Sequence, residues 1–279
     1  GGSGIYQLQE LTVSAKRQVW TPFGAPSGPL VEGLVNGVQV VFLARHGEGH
    51  SIPPHRINYR ANIWALKKLG VTHLMAISAV GSLREELVPG HFVLVDQFID
   101  MTRRRELTFF DDCAVHVPMA DPVCPTLVDL GVKAVAQAGG QVHRGGAYVC
   151  IDGPQFSTRA ESNWYRLLKA SVTGMITASE ARLAREAQIH FATMAMVTDF
   201  DCWHEAEEDV TVEAVMATIR ANGDLANRSV VNLVEAFAHE KDTCSSCNSV
   251  LAGAVMTDMV SLSSAKREKV SLLVNGEDA

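Results

Sequence analysis

The chain lacks any apolar run long enough to cross a membrane. Its longest apolar runs, Val38–Ala44 and Phe191–Val197, span about seven residues, whereas a bilayer requires roughly twenty. No charged segment followed by an apolar one opens the sequence, as a secretion signal would. We therefore expect a cytoplasmic protein with no membrane partner.

The chain also lacks an excess of basic residues. It has 24 Lys and Arg against 31 Asp and Glu, for a formal net charge of −7. Because nucleic-acid binding depends on neutralising backbone phosphates, we expect no nucleic-acid partner. An anionic small substrate would need a local basic pocket set against this acidic background.

Cysteine is scarce as well. Six cysteines in 279 residues are too few for a disulfide framework. Cys244 and Cys247 have CxxC spacing, but a zinc site needs about four ligands, and no second CxxC or HxxxH motif lies beside them. Two free thiols or a local disulfide is the favoured interpretation, and we expect no bound metal.

Short apolar runs alternate with helical patterns over most of the chain, which predicts an α/β fold in a single domain. Strands are predicted at Val38–Ala44, His73–Ser78, Phe92–Val95, Ala147–Ile151 and His190–Thr198. Helices are predicted at Asn58–Leu69, Thr126–Ala138, Arg159–Lys169, Glu180–Ala187, Thr211–Ala221 and Ala226–His239. Residues 1–241 form the predicted domain. Residues 242–279 form a C-terminal tail in which small, polar and charged residues alternate, so its secondary structure is poorly determined by the sequence.

Polar residues follow the predicted strands at Arg45-His46, at Ser78-Ala79 and at Asp199. Because ligands of open α/β sheets collect at the carboxyl ends of strands, we expect these residues to share one crevice. The Arg45 guanidinium suits phosphate oxygens, and His46 can donate beside it.

A metal site formed by His46, His50 and His55 is an alternative. HxxxH spacing places two histidines on one face only within a helix, and Gly47 and Gly49 disfavour a helix here. A phosphate site is therefore favoured over a metal site.

Asp199 and Asp201 alternate along the chain, so in extended geometry both side chains point the same way. When two carboxyl groups are neighbours, one can act as an acid and the other as a hydrogen-bond acceptor, because proximity raises the pKa of one of them. A solvated turn or a cation site is the alternative. Phe156 could stack on a flat base, although such a residue more often belongs to the core.

Several long motifs resemble those of the 5′-methylthioadenosine phosphorylases, within the purine nucleoside phosphorylase family. The matching segments are Ala44–Gly47 (ARHG), Asn58–Leu66 (NYRANIWAL), Ser78–Glu86 (SAVGSLREE), Ile151–Ser162 (IDGPQFSTRAES) and Ala195–Trp203 (AMVTDFDCW). The resemblance runs from Gly1 to about His239. It implies a mixed central sheet flanked by helices, and a homotrimer, with a dimer of trimers left open.

The resemblance also implies the site. The opening Gly1-Gly2-Ser3-Gly4, which by itself indicates only a linker, becomes a phosphate-binding turn, and the strand expected before it would lie upstream of Gly1. The implied phosphate contacts are Ser3, Arg45, His46, Ser78 and Ala79. Met175 would contact the ribose, Phe156 and Ser157 the base, and Asp199 and Asp201 the N7 and 6-amino edge. The methylthio group would face Val210, Val212 and Val215. His116 would contribute to the site of a neighbouring subunit.

The implied base is adenine. Phosphorylases for 6-oxopurines have Asn where Asp199 stands and Glu where Ser157 stands, and a carboxylate accepts hydrogen bonds from a 6-amino group but repels a 6-oxo group.

One segment departs from the family pattern Gly-Met-Thr-x-x-Pro-Glu. This chain reads Gly174-Met-Ile-Thr-Ala-Ser-Glu180, so Ile176 lacks the hydroxyl that the family presents to phosphate. Losing one such donor costs about 1–3 kcal/mol, unless Thr177 takes its place through a one-residue shift.

The expected activity is phosphorolysis of 5′-methylthioadenosine to adenine and 5-methylthioribose 1-phosphate, in purine and methionine salvage. Inorganic phosphate is the co-substrate, and no cofactor is expected. Asp199, aided by Asp201, is the expected catalytic acid. The alternatives are a broader phosphorylase acting on adenosine or 5′-methylthioinosine, a nucleoside-binding protein with impaired turnover, and a metal hydrolase using the three histidines.

Overall fold

The computed structural model describes residues 1, 10–205, 210–239 and 244–275. Its strands are Thr12–Arg17 (β1), Leu30–Val35 (β2), Val38–Phe42 (β3), His73–Ser82 (β4), Phe92–Val95 (β5), Gln97–Asp100 (β6), Val142–Arg144 (β7), Ala147–Cys150 (β8), Val172–Gly174 (β9) and His190–Asp199 (β10). Its α-helices are Tyr59–Lys68 (α1), Pro125–Gln137 (α2), Arg159–Leu167 (α3), Thr177–Glu186 (α4), Val212–His239 (α5), Ser245–Asn248 (α6) and Ser264–Asn275 (α7).

A mixed seven-stranded sheet with the order β6-β8-β9-β4-β10-β5-β7 forms the centre of the domain, and helices flank it. β10 pairs with β4 in parallel and with β5 antiparallel. Its apolar side chains are almost fully buried, as expected for a central strand covered on both faces. The predicted α/β fold with a mixed central sheet is confirmed.

A smaller antiparallel sheet, β1-β2-β3, lies beside the main one. β3 leads into Arg45, and Gly1 pairs there: the Gly1 amino group donates to the Leu43 carbonyl at 2.7 Å, and the Arg45 N–H donates to the Gly1 carbonyl at 3.1 Å. Gly1 therefore lies next to the chain segment that carries Arg45. Ser3 and the rest of the glycine-rich turn lie outside the described residues.

α5 is one helix of 28 residues where the sequence pattern predicted two. The segment Asn222-Gly223-Asp224 suggests a break between two helices, because glycine in a helix interior destabilises the helix by about 1 kcal/mol. Buried contacts of Ile219 on one side and of Ala226 and Leu233 on the other hold the helix together through that point. None of the helices in the described ranges combines the length and apolar character that a bilayer span requires.

The described part of the C-terminal tail packs against the domain. Leu272 and Leu273 of α7 belong to the main hydrophobic core. The His116 N–H donates to the Ala254 carbonyl at 2.9 Å, and the Met256 N–H donates to the Ala114 carbonyl at 2.9 Å. The sequence pattern gave no sign of this contribution to the core.

Candidate active site

A cavity of about 590 Å³ opens at the carboxyl ends of β4 and β10. Most of the predicted site residues line it, although they come from six separate stretches of the chain. The predicted residues in its wall are Arg45, His46, Ser78, Ala79, Phe156, Ser157, Met175, Ile176, Asp199, Asp201, Val212 and Val215. The polar strand ends therefore share one crevice.

Arg45 provides a fixed positive charge in the cavity wall. Its side chain is buried, Nη2 donates to the Ile77 carbonyl at 2.9 Å, and Nε pairs with Glu180 Oε1 at 2.9 Å. These two bonds set the plane of the guanidinium and leave further N–H groups for an anion. Glu180 Oε2 has no hydrogen-bond partner among the described residues.

His46 is held by its backbone surroundings. Its Nδ1 donates to the Ile52 carbonyl at 2.9 Å, and its ring stacks on His50 with centroids 4.1 Å apart. Burial lowers the pKa of His46 to about 4, so the ring is neutral at physiological pH. Because Nδ1 carries the proton, Nε2 of the neutral ring can act only as a hydrogen-bond acceptor, and it can donate only when the ring is charged.

The three histidines do not form a metal site within the part of the chain that the structure describes. His50 lies in a three-residue 3₁₀ turn with the left-handed Gly49 beside it, not in an α-helix. The HxxxH spacing therefore does not bring two imidazoles onto one helical face.

Tyr148 organises the wall between β4 and β9. Its buried hydroxyl lies 3.4 Å from Ser78 Oγ and accepts the Ile176 N–H at 3.3 Å. Gly174 passes so close that an added Cβ would lie 2.1 Å from this hydroxyl, so only glycine fits there. No motif in the sequence pointed to Tyr148.

Thr177 directly follows Ile176, which lacks the hydroxyl of the family pattern. Thr177 is fully buried as the first residue of α4, and it does not line the cavity. The Ile176 side chain lies at the cavity and also packs into the main core. Thr177 Oγ1 is buried and has no hydrogen-bond partner among the described residues, so the phosphate contact of Thr177 stays a prediction.

Asp199 ends β10 with its carboxyl group partly enclosed. Oδ2 accepts the Thr198 hydroxyl at 2.7 Å, and Oδ1 accepts the Asp201 N–H at 2.8 Å. Burial raises the pKa of Asp199 to about 6 in spite of these two bonds, and the nearby Asp201 adds a smaller effect in the same direction. A Cβ on Gly81 would lie 2.8 Å from Asp199 Oδ1, so glycine at 81 makes room for the carboxyl group.

Asp201 reaches the cavity by a different route from the one predicted. Its φ of 51° places it in a left-handed turn, so the extended geometry ends at Asp199. Both carboxyl groups still line the cavity because the turn brings Asp201 back towards β4. Burial raises the pKa of Asp201, and its Oδ2 has no hydrogen-bond partner among the described residues.

Phe156 lies at the cavity and is 42% exposed. It is therefore not a core residue, and its ring is free to stack on a ligand. Val210 and His116 do not line the cavity; His116 is exposed on the surface of its own chain.

Several further side chains in or behind the wall were not predicted from the sequence. Met216 and Ile219 extend the apolar face of α5, and Thr173 presents a buried Oγ1 without a partner among the described residues. The helical spacing of Val212, Val215, Met216 and Ile219 could have revealed the first two.

Arg105 fixes the loops that surround the cavity. Its Nη2 donates to the carbonyls of Ile151, Asp152 and Met175, and its Nη1 donates to Ser179 Oγ at 3.0 Å. Ser179 stands where the family pattern has proline, and here its hydroxyl is an acceptor for this arginine. Arg105 came from a polar loop whose sequence pattern gave no sign of the role.

The model of the phosphorylase superfamily matches residues 1–237. The curated S-methyl-5′-thioadenosine phosphorylase of Geobacter sulfurreducens is 48% identical over 98% of this chain and 96% of its own length. That of Hyperthermus butylicus is 48% identical over 90% of this chain and 92% of its own. The chain belongs to the methylthioadenosine phosphorylase family.

Solved structures of methylthioadenosine phosphorylases have the same fold. One from an antarctic soil metagenomic library is 46% identical, with a TM-score of 0.92, and the match covers 98% of this chain and 96% of the other. The Schistosoma mansoni enzyme in complex with adenine is 38% identical, with a TM-score of 0.88, over 91% of this chain and 96% of the other.

Proposed function

We propose that this chain transfers the 5-methylthioribosyl group of 5′-methylthioadenosine to inorganic phosphate, releasing adenine. Relatives that are named for this activity cover nearly the whole chain. The observation that carries the proposal is the cavity itself, in which a buried arginine and a carboxyl group with a raised pKa occur together. Phosphate is a co-substrate, and the proposed chemistry requires no other cofactor.

The spacing of the two groups suits a nucleoside. Asp199 pairs in register with Gly81 of β4, and Ser78 precedes Gly81 by three residues, or about 10 Å of strand. Phosphate held near Arg45 and Ser78 can therefore approach one side of a sugar whose base lies against Asp199. The phosphate charge then stabilises the oxocarbenium-like sugar that glycoside cleavage generates.

Asp199 supplies the proton that the leaving purine needs. Adenine leaves as an anion unless N7 is protonated, and a carboxyl group with a pKa of about 6 keeps a usable protonated fraction near neutral pH. One oxygen of Asp199 can donate to N7 while the other accepts from the 6-amino group. A 6-oxopurine offers no such donor, so the proposed base is adenine, with Phe156 stacked against it.

The methylthio group is the proposed occupant of the apolar side of the cavity. The cavity is lined on this side by the apolar side chains of Val212, Val215, Met216 and Ile219 of α5. A 5′-hydroxyl placed there would lose its bonds to water, which costs about 1–3 kcal/mol. We therefore expect methylthioadenosine to be preferred over adenosine.

We propose a cytoplasmic homotrimer. His116, exposed and outside its own cavity, would then be available to a neighbouring subunit. All six cysteines are free thiols in the structure, which suits a reducing compartment. Sedimentation equilibrium of the purified protein would test the stoichiometry, and a monomer that is fully active would overturn it.

The activity is tested by incubating the protein with methylthioadenosine or adenosine, with and without phosphate, and by measuring free adenine. Phosphate-dependent adenine release, faster with methylthioadenosine, supports the proposal. Binding of the nucleoside without release would indicate a nucleoside-binding protein, and release that needs no phosphate but is lost on chelation would indicate a metal hydrolase. Equal release from 5′-methylthioinosine would overturn the proposed base preference.

A further inference from the structure

Three cysteines and a histidine meet at the amino end of β10, far from the cavity. Cys124 precedes α2, His190 begins β10, and Cys244 and Cys247 come from the tail. One ligand atom of each residue lies within 4.8 Å of the others. Cys124, His190 and Cys247 are buried and Cys244 is half-buried. The tail thus brings its CxxC pair to two further ligands that are distant in the sequence.

Two of the distances within this cluster are close to those of a tetrahedral metal site. Cys124 Sγ lies 3.4 Å from His190 Nδ1, and Cys244 Sγ lies 3.6 Å from Cys247 Sγ. Zn–S bonds of about 2.3 Å and Zn–N bonds of about 2.0 Å place tetrahedral ligand atoms about 3.5–3.8 Å apart. Closing the remaining pairs from within 4.8 Å requires shifts of about 1 Å.

The second ring nitrogen of His190 is already oriented as in metal sites. His190 Nε2 lies 2.9 Å from Asn248 Oδ1. Because a carbonyl oxygen only accepts, Nε2 carries the proton, and the lone pair of Nδ1 faces Cys124. A metal-bound histidine usually donates its other N–H to an outer acceptor, which fixes the tautomer and the ring orientation. Asn248 provides this acceptor, one residue after Cys247.

A positive charge stands beside the thiols. Arg185 Nη1 lies 3.7 Å from Cys247 Sγ. Three thiolates and one divalent ion carry a single net negative charge, which this guanidinium offsets. The Cys₃His donor set, with soft sulfur ligands in a tetrahedral arrangement, is typical of structural zinc.

We propose that Cys124, His190, Cys244 and Cys247 bind one Zn²⁺ ion that fastens the C-terminal segment to the body of the domain. The thiol protons leave to solvent as the ion binds. All four coordination positions are filled by protein, so the role is structural. β10 has ten residues and is about 30 Å long, which separates this site from Asp199.

Metal analysis of the full-length protein tests the proposal. The protein is purified under reductant, incubated with Zn²⁺ and desalted, and its zinc content is measured by plasma mass spectrometry. We expect about one zinc per chain, and with Co²⁺ the absorption bands of a tetrahedral thiolate site. C244S and C247S should reduce the zinc content to near zero, whereas C113S, which removes a thiol outside the cluster, should keep it. Because Cys244 is only half-buried, C244S should still fold even if C247S, which changes a buried residue, does not.

Asn248→Ala separates metal binding from simple thiol packing. Loss of an outer hydrogen-bond partner typically weakens metal affinity by about 10–100-fold, and competition with a chromogenic chelator measures that change. A chelator should also lower the Tm of the wild type and leave the Tm of C244S unchanged. The proposal is overturned if no zinc is retained, if zinc content is equal in C113S and C244S, or if mass spectrometry shows Cys244 and Cys247 as a disulfide under these conditions.

Discussion

The two ends of β10 carry different kinds of polar site. At the carboxyl end, Asp199 faces a cavity of about 590 Å³, and burial raises the pKa of its carboxyl group to about 6. At the amino end, His190 is packed among three cysteines and an asparagine whose polar atoms face one another. One strand therefore connects an open site suited to chemistry with a closed cluster suited to holding segments together.

The buried polar groups at the two ends of β10 differ in their surroundings. Two buried polar atoms in the cavity wall, Thr173 Oγ1 and Asp201 Oδ2, have no hydrogen-bond partner among the described residues. Buried polar groups of this kind are costly and indicate a ligand that pairs with them. In the cysteine cluster the ligand atoms lie within 4.8 Å of one another, an arrangement that suits the one small ion proposed above.

Asp199→Asn has the largest expected effect on the open site. An amide cannot donate the proton that N7 requires, so kcat/KM for methylthioadenosine should fall by about 10²–10⁴-fold. The loss should be smaller for a 6-oxopurine nucleoside, because an amide N–H can donate to the 6-oxo group. Steady-state kinetics with both nucleosides measure the change. Unchanged kinetics with both would remove the catalytic and specificity roles of Asp199.

The same variant should be more stable than the wild type above pH 6. Folding raises the pKa of Asp199 from 3.8 to about 6, so the folded state disfavours the ionised form. The free energy of unfolding therefore falls as pH rises from 3.8 to 6, by up to about 3 kcal/mol. Asp199→Asn avoids this loss, and its gain in Tm should vanish below pH 4.

Arg45→Ala should have the next largest effect, on phosphate binding. Hydrogen bonds to charged groups contribute about 1.5–3 kcal/mol, so the KM for phosphate should rise by about 10–100-fold. The variant also leaves Glu180 buried without its ion-pair partner, which destabilises a fold by about 3–5 kcal/mol. Phosphate titrations and thermal unfolding measure the two effects.

A double variant separates those two effects. Arg45→Ala with Glu180→Gln removes both charges, so stability should largely return while phosphate binding stays weak. If phosphate affinity returned together with stability, Arg45 would be a structural residue and not a phosphate ligand.

Much of the open site could be predicted from the sequence because it lies at strand ends. Apolar runs mark the strands, and the polar residues that follow them, such as Arg45 and Asp199, converge at one edge of the sheet. The turn at Asp201 could not be predicted, because a left-handed φ in a non-glycine residue leaves no pattern. The role of Arg105 was also hidden, because its partners are mostly backbone carbonyls and so have no side-chain signature.

The closed cluster could not be predicted for a different reason. Cys124 and His190 are distant in sequence from the CxxC pair, and only the path of the tail brings the four residues together. Neither residue therefore lies beside Cys244 and Cys247 in the sequence. The continuity of α5 was missed because buried contacts on both sides of Gly223 outweigh the helix propensity of that one residue.

The rate of the open site should depend on pH through Asp199. If the protonated carboxyl group donates to N7, kcat/KM should fall about tenfold per pH unit above pH 6, the approximate pKa of Asp199. Asp199→Asn is the matched control, since phosphate ionises in the same way with both proteins. A profile with the same slope in the variant would assign the dependence to phosphate or to another group.

Ile176→Thr should have the smallest effect and improves phosphate binding. Ile176 lines the cavity, and the hydroxyl of threonine adds one donor, so the KM for phosphate should fall by about five- to tenfold, or about 1 kcal/mol. Because Ile176 also packs in the core, the Tm should fall slightly. Ile176→Val, which has the shape of threonine without its hydroxyl, should show the lower Tm without the gain in affinity. An equal gain in both variants would assign the effect to cavity size and would show that no hydroxyl is needed at position 176.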